Sequence, residues 1–519
     1  MADDAVLCVL AGAGTGKTGV LTLRVARRCA DRSTTARHTL VCTFSRKAAG
    51  ELGKRLDGLG VSGATTGTIH RLALVVLRDW RDRLGAAQPL ILGDRRRVIA
   101  AVLGSGDGLE HRARILDTEI AWAKAQACGP DQYEDLARKT RRHVRLPLDA
   151  VAEFFAAYQA ECRKRGVLDL DDLLLEALAA IEGDERFAEA LRWRFRHLFV
   201  DEFQDLNAVQ FRLIQALCGS TPDLFVVGDP NQSIYGWNGA DPALLTRFAD
   251  LFGGARIVRL DDNHRSSPAI VRFASAALGV PVPPRSTRAQ GPVPLIIENE
   301  TDVEEADWAA GRARLSHQSG GRWSGIALLA RTNAQLRIVA EVLHRQGIPY
   351  RFAAGDVEPA SDLGAADRDG TVQGDPAEQS ATDEHGDALI LSSFHRSKGL
   401  QWRSVIVIGL NEGTVPIASA RSTAALDEER RLLYVALTRA EDELACSWVS
   451  GAGVRGTARR LRSRWLAAME RERDALEVER APADADAVAS HLALLRSIVS
   501  DGAGHDMPTA FRGDRPAPR

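Results

Sequence analysis

Residues 11–18 read AGAGTGKT, directly after the apolar run AVLCVL. A Gly-rich turn between a strand and a helix lines up backbone N–H groups with a helix N-terminus, and that combination cradles phosphates. Here Ala11, Gly12, Ala13, Gly14, Thr15 and Gly16 form the cradle. Lys17 brings a positive charge to the β- and γ-phosphates, and Thr18 offers a hydroxyl to Mg2+. The strict pattern has Gly where Ala11 stands, so the match is to a relaxed form. A second apolar run, HLFV, ends in DEFQD at residues 201–205. Carboxylates at such a strand end suit Asp201 to holding Mg2+, directly or through water, and Glu202 to orienting and deprotonating an attacking water. A third stretch, GDPNQSIYGWNGA at residues 228–240, strings an amide, Gln232, and two rings, Tyr235 and Trp237, along one loop.

These groups need strands to carry them. The runs at residues 5–10, 40–44, 197–200 and 224–228 are short and continuously apolar, as strands buried on both faces of a parallel sheet are. A second set, at residues 255–260, 325–330, 388–393 and 404–410, predicts a second α/β sheet. The fold class expected is therefore α/β, with two parallel-sheet domains. The first spans residues 1–75 and 176–256, interrupted by a helical insertion over 76–175. The second spans 257–352 and 386–450, with a Gly-, Asp- and Ala-rich acidic linker over 353–385. A helical C-terminal segment and a disordered tail are expected over 451–519. The chain of 519 residues is too long for one core, and 45% apolar with 26% charged residues is ordinary globular composition. Its net charge of −2 hides basic runs at 138–145, 163–165 and 459–464 behind the acidic linker. Seven scattered cysteines with no C-x-x-C spacing argue against a disulfide framework or a metal cluster and for a reducing cytoplasm. No apolar run is long enough to span a membrane, and the opening MADD is no signal peptide.

The motifs VDEFQD, GDPNQSIYGWNGA and NHRSS (263–267) together resemble the superfamily 1 helicases of the UvrD/Rep type. TFSRKAAGEL, TGTIHRLA, LDLDDLL, LLARTNAQLR, SFHRSKGLQW and EERRLLYVALTRA follow in the same family's order, so the resemblance spans roughly residues 5–450. It implies two RecA-like motor domains sandwiching ATP while single-stranded DNA crosses both. Arg265 and Arg439 resemble arginine fingers reaching the γ-phosphate from the second domain, and Gln232 resembles its sensor. Tyr235 and Trp237 resemble rings that stack on bases, with Phe44 completing the base pocket. Ser45, Lys47, His70 and Arg331 are expected on the DNA backbone, and His395 is expected to bind the nucleic acid.

The sequence departs from the family at several points. No Gln lies well upstream of the phosphate loop, Gly19 stands where an Arg is usual, and His264 replaces a base-stacking Tyr. Asn238 replaces an Arg, Gln401 replaces a Glu near the nucleotide, and the acidic linker occupies the place of a mobile subdomain. The expectation is an ATP- and Mg2+-dependent 3′→5′ translocase or helicase on single-stranded or 3′-tailed duplex DNA, serving repair or replication. The alternative is a DNA-binding or partner-recruiting ATP switch without processive unwinding.

Overall fold

A computed structural model of the chain describes residues 5–104, 108–220, 222–353, 386–451 and 459–480. Two six-stranded sheets organise it, and every strand pairing within them is parallel.

The first sheet contains β1 (Val6–Ala11), β2 (Thr39–Thr43), β3 (Thr65–Thr68), β4 (His197–Val200), β5 (Leu224–Gly228) and β6 (Arg256–Leu260). Their spatial order is β3-β2-β4-β5-β1-β6. The central strands are buried on both faces, which is why their sequences are unbroken apolar runs. The phosphate loop leaves the carboxyl end of β1, the Asp–Glu pair that of β4, and the aromatic loop that of β5. One edge of one sheet thus presents all three, the edge where doubly wound sheets bind ligands.

Residues 255–260 were expected in the second sheet, and that expectation is corrected. Leu7 to Ala11 of β1 pair with Arg256 to Leu260, which makes β6 the edge strand of the first sheet. An apolar run records burial and not the identity of the neighbouring strand. The passage between the two domains therefore lies after Leu260.

Four helices, Arg96–Leu103, Leu109–Ala125, Pro130–Lys139 and Leu148–Arg165, form the insertion around their own core of Ile99, Leu116, Ile120, Tyr133, Phe155 and Tyr158. The flanking helices Ile69–Arg83 and Leu170–Gly183 pack instead into the core of the first sheet. A two-residue parallel ribbon, Leu90–Ile91 against Val167–Leu168, forms the neck. At that joint Lys124 is fully buried. Its Nζ donates to Asp169 Oδ2 at 2.7 Å and Asp172 Oδ1 at 2.6 Å, while Tyr158 Oη donates to Asp169 at 2.8 Å. The LDLDDLL stretch is accordingly the buried joint of the insertion, with Asp169 also capping the following helix.

The second sheet contains β7 (Leu295–Asn299), β8 (Ile326–Ala330), β9 (Tyr350–Phe352), β10 (Leu389–Ser393), β11 (Trp402–Val407) and β12 (Ala440–Val449), in the order β7-β12-β11-β8-β10-β9. The C-terminal helix Leu466–Arg480 docks on this domain: Leu466 and Met469 enter its core, and Arg272 of helix Pro268–Leu278 pairs with Glu472 and Glu479. The acidic linker from residue 354 onward and the expected tail lie outside the described residues.

Candidate nucleotide cleft and nucleic-acid face

After β1 the backbone turns through two left-handed glycines, Gly14 at φ 74° and Gly16 at φ 79°. A Cβ on Gly14 would approach Arg265 Cβ and the Asn263 carboxamide to 2.8 Å, so glycine is required there by both conformation and space. Helix Lys17–Ala30 begins with no side-chain cap and no acidic residue in its first turn, leaving its amides open to an anion. Lys17 Nζ is buried without a hydrogen-bond partner. A buried, unsatisfied ammonium inside an amide-lined turn fits a polyphosphate.

Thr18 Oγ1 donates to Asp201 Oδ2 at 3.4 Å, which brings the hydroxyl and carboxylate expected at Mg2+ side by side. Glu202 follows with φ 53°, an uncommon conformation for a residue with a side chain. Burial pushes the Asp201 carboxyl up, and the like charge of Glu202 adds to it. For Glu202 burial acts upward too, but Lys17 and Lys398 outweigh it and hold the acid ionised. A buried carboxyl of raised proton affinity beside a partly buried, ionised one is a donor set that a divalent cation relieves.

The second domain supplies the opposing charges. Arg439 is fully buried; burial and the neighbouring Arg265 push its guanidinium down to about 9. It donates to Gln232 Oε1 at 3.4 Å and to the Val435 and Leu400 carbonyls at 2.8 and 3.1 Å. Arg265 donates to Gln401 Oε1 at 2.8 Å and Thr438 O at 3.3 Å. Lys17, Asp201, Glu202, Gln232, Arg265 and Arg439 therefore converge on one cleft. His264 is exposed beside it, its N–H on Gly14 O at 2.8 Å and its ring against Thr287 Oγ1 at 2.8 Å. A side chain at Gly19 would meet open space.

On the adjoining face Phe44 and Tyr235 are stacked on each other, centroids 4.6 Å apart and planes 16° apart. They touch directly, and no base-wide gap separates the two rings. Trp237 stands edge-on to Tyr235 at 6.3 Å and is 57% exposed. Trp237, His395 and Arg331 share one open cavity of about 400 Å³. Arg331 is engaged by Glu429, its guanidinium donating to both carboxylate oxygens at 2.7 and 3.1 Å. Ser45 Oγ caps helix Arg46–Gly58 by accepting the Ala48 N–H, and Lys47 is exposed in that helix's first turn. Burial lowers the basicity of His70, against the opposing pull of Asp171.

Sequence reasoning missed Lys398 and Asp205 as a pair. Lys398 reaches from the second domain to the fully buried Asp205 carboxylate and to Gln232 O at 2.7 Å, and lies 5.1 Å over the Tyr235 ring. Both sit inside quoted motifs, but nothing local to either announces a partner 193 positions away. Glu428 and Arg431 grip the same loop, accepting the Gly236 N–H at 3.0 Å and donating to Ser233 O at 2.8 Å.

Two domain families match in series: the UvrD/REP helicase N-terminal domain over residues 2–253 and the UvrD-like helicase C-terminal domain over residues 258–356 and 373–451. The chain is 33% identical over 558 aligned positions to ATP-dependent DNA helicase UvrD2 of Mycobacterium tuberculosis, an alignment covering 90% of this chain and 80% of that protein. It is 30% identical to ATP-dependent DNA helicase PcrA of Bacillus subtilis, over 68% of this chain and 49% of PcrA. With DNA helicase II of Escherichia coli the identity is 32%, over 67% and 49% of the two chains.

Proposed function

Because the chain belongs to the UvrD/Rep helicase family, we propose that it is an ATP-dependent DNA helicase moving 3′→5′ along single-stranded DNA in repair or replication. The substrate is single-stranded or 3′-tailed duplex DNA, and the site of action is the cytoplasm. No described helix is long and apolar enough to cross a membrane.

The chemistry follows from the residues of the cleft. The phosphate loop and Lys17 bind the triphosphate through amides and one ammonium. Thr18 and Asp201 would hold Mg2+, which would supply charge that offsets the phosphates. Glu202, kept ionised by the surrounding cations, orients the water and accepts its proton. Arg265 and Arg439 face the terminal phosphate from the opposite domain, a contribution of about 10³–10⁵ in rate for such fingers. They come from another domain than Lys17, so domain closure assembles the site and product release opens it.

One observation carries the reading. The loop 228–240 bonds Arg439 through Gln232 in the cleft, lies under Lys398 at Tyr235, and ends on the exposed Trp237. A change at the phosphate is thereby a change at the rings. The test is strand displacement with 3′-tailed, 5′-tailed and blunt duplexes beside DNA-stimulated ATP turnover. Unwinding of the 3′-tailed substrate alone is expected; turnover indifferent to DNA would overturn the proposal. The Gln401 contact to Arg265 at 2.8 Å favours a second reading, a slow ATP switch that binds DNA without processive unwinding. DNA-stimulated turnover without displacement of any duplex is its signature.

A further inference from the structure

Asn263 lies where the chain passes from β6 of the first sheet to helix Pro268–Leu278 of the second domain. It is 2% exposed, and its carboxamide is used on both ends. Nδ2 donates to the carbonyl of Ala13, inside the phosphate loop, at 2.7 Å. Oδ1 accepts the N–H of Arg265 and that of Ser266, each at 2.9 Å. Only one orientation of the amide satisfies all three, because the flipped group would set N–H against N–H.

The surroundings make this a joint between two moving parts. Ala13 belongs to the phosphate loop, yet its side chain packs in the core of the second domain. The neighbouring peptide repeats the link, with His264 N–H donating to Gly14 O at 2.8 Å. On the far side Arg288 holds the Arg265 carbonyl at 2.5 Å and Ser266 Oγ donates to Ala440 O at 2.6 Å. The backbone that carries Arg265 is thus tied to the phosphate loop by Asn263, to the second sheet by Ser266 and to the segment after Ser286 by Arg288.

We propose that Asn263 is a positioning residue that couples the phosphate loop to Arg265, setting the reach of that guanidinium by where the loop sits. This rests on the nucleotide-cleft reading above. A loop displaced by phosphate drags the Ala13 carbonyl, and through Nδ2 and Oδ1 the Arg265 amide follows. Misplacing a group that acts at the reacting phosphate by about 1 Å costs about 10²-fold in rate.

Two substitutions separate the halves of the joint. Asn263→Asp keeps the shape and the acceptor for Arg265 and Ser266 but sets an oxygen against the Ala13 carbonyl; Asn263→Ala removes both halves. In the full-length protein, affinities for ADP and for the β,γ-imido analogue of ATP are measured alongside DNA-stimulated turnover. Expected for both variants is a loss of affinity for the imido analogue with ADP binding little changed. A fall in turnover of about 10- to 100-fold accompanies it. Each change should vanish in an Arg265→Ala background, because residues acting as one unit are not additive. ADP and analogue affinities falling in step, or losses that multiply with Arg265→Ala, would show a merely structural asparagine. The binding arm decides this even if the wild-type protein unwinds no DNA, an outcome that defeats the helicase reading instead.

Discussion

Replacing Lys398 by Met should destabilise the protein by an amount that depends on pH. Lys398 bridges the two domains onto Asp205, whose carboxylate has no exposure to solvent. Burial, larger than the opposing pull of Lys398, pushes the Asp205 carboxyl up to about 7. Burial works against the charge of Lys398 too, but Asp205 and Glu202 outweigh it and raise its affinity for a proton. At pH 8 the folded wild type therefore holds an ion pair, and removing the cation leaves an uncompensated buried carboxylate. Breaking a buried pair in this way costs about 3–5 kcal/mol. The cation–π contact to Tyr235 adds about 0.5–2 kcal/mol. The sign with pH follows from linkage. A carboxyl whose folded pKa lies above its unfolded value stabilises the fold at low pH, and that contribution is lost as pH rises toward the folded value. Without Lys398 the folded value rises further, so the loss steepens. At pH 5 Asp205 is protonated with or without Lys398, so its share of the charge penalty is absent and only the smaller share from the more distant Glu202 remains. Thermal unfolding of both proteins at pH 5 and pH 8, at one ionic strength, measures the difference. The midpoint gap at pH 8 should be about 10 °C, taking about 2–4 °C per kcal/mol for domains of this size. It should shrink severalfold at pH 5. Equal gaps at the two pH values would refute the reasoning, since the variant would then be losing packing and not charge.

Lys17→Ala and Glu202→Gln should each cut DNA-stimulated ATP turnover by about 10²-fold or more while single-strand affinity, read by fluorescence anisotropy, holds. Phe44→Ala removes the ring stacked on Tyr235 and should weaken binding of a short oligothymidylate by about 0.5–1.5 kcal/mol; unchanged anisotropy titrations would mean that Phe44 only packs. Trp237→Ala should weaken the same titration by about 1–3 kcal/mol and raise the ATP used per nucleotide travelled, measured in a translocation assay.

The sequence carried the fold where burial is two-sided. Unbroken apolar runs marked β1, β4, β5 and β8, and the Gly-Lys-Thr turn marked the cleft, because each signal is local. What it hid was pairing at a distance. β6 reads like any edge strand, with Arg256 and Arg259 exposed, and only its register against β1 assigns it to the first sheet. β12 opens on the charged residues Glu441, Asp442 and Glu443, which mask a strand lying between β7 and β11. The Lys398–Asp205 pair, the Glu429 hold on Arg331 and the Asn263 joint each depend on two segments meeting after folding. Motif resemblance brought the right segments to attention and was silent on which atoms they exchange.

Charge in the cleft argues why such long-range pairs concentrate there. Lys17 is buried without a partner, Arg439 is buried on carbonyls and one amide, and Arg265 bonds an amide and a carbonyl. Against these three cations the cleft sets Glu202, which is held ionised, and Asp201, whose raised proton affinity weakens it as a counter-ion. Buried charge without matched partners is expensive, and hydrogen bonds to carbonyls offset only part of it. A polyphosphate with its cation is the ligand that completes the balance, and it must touch both domains to do so. Once its terminal phosphate departs, Arg265 and Arg439 lose the group they face while Lys17 keeps part of its own. The positive charge of the second domain is then unmatched in a buried site, and its return to solvent favours opening. Lys398 and Asn263 sit where that opening has to pass, one toward the rings at Tyr235 and the other toward the finger at Arg265.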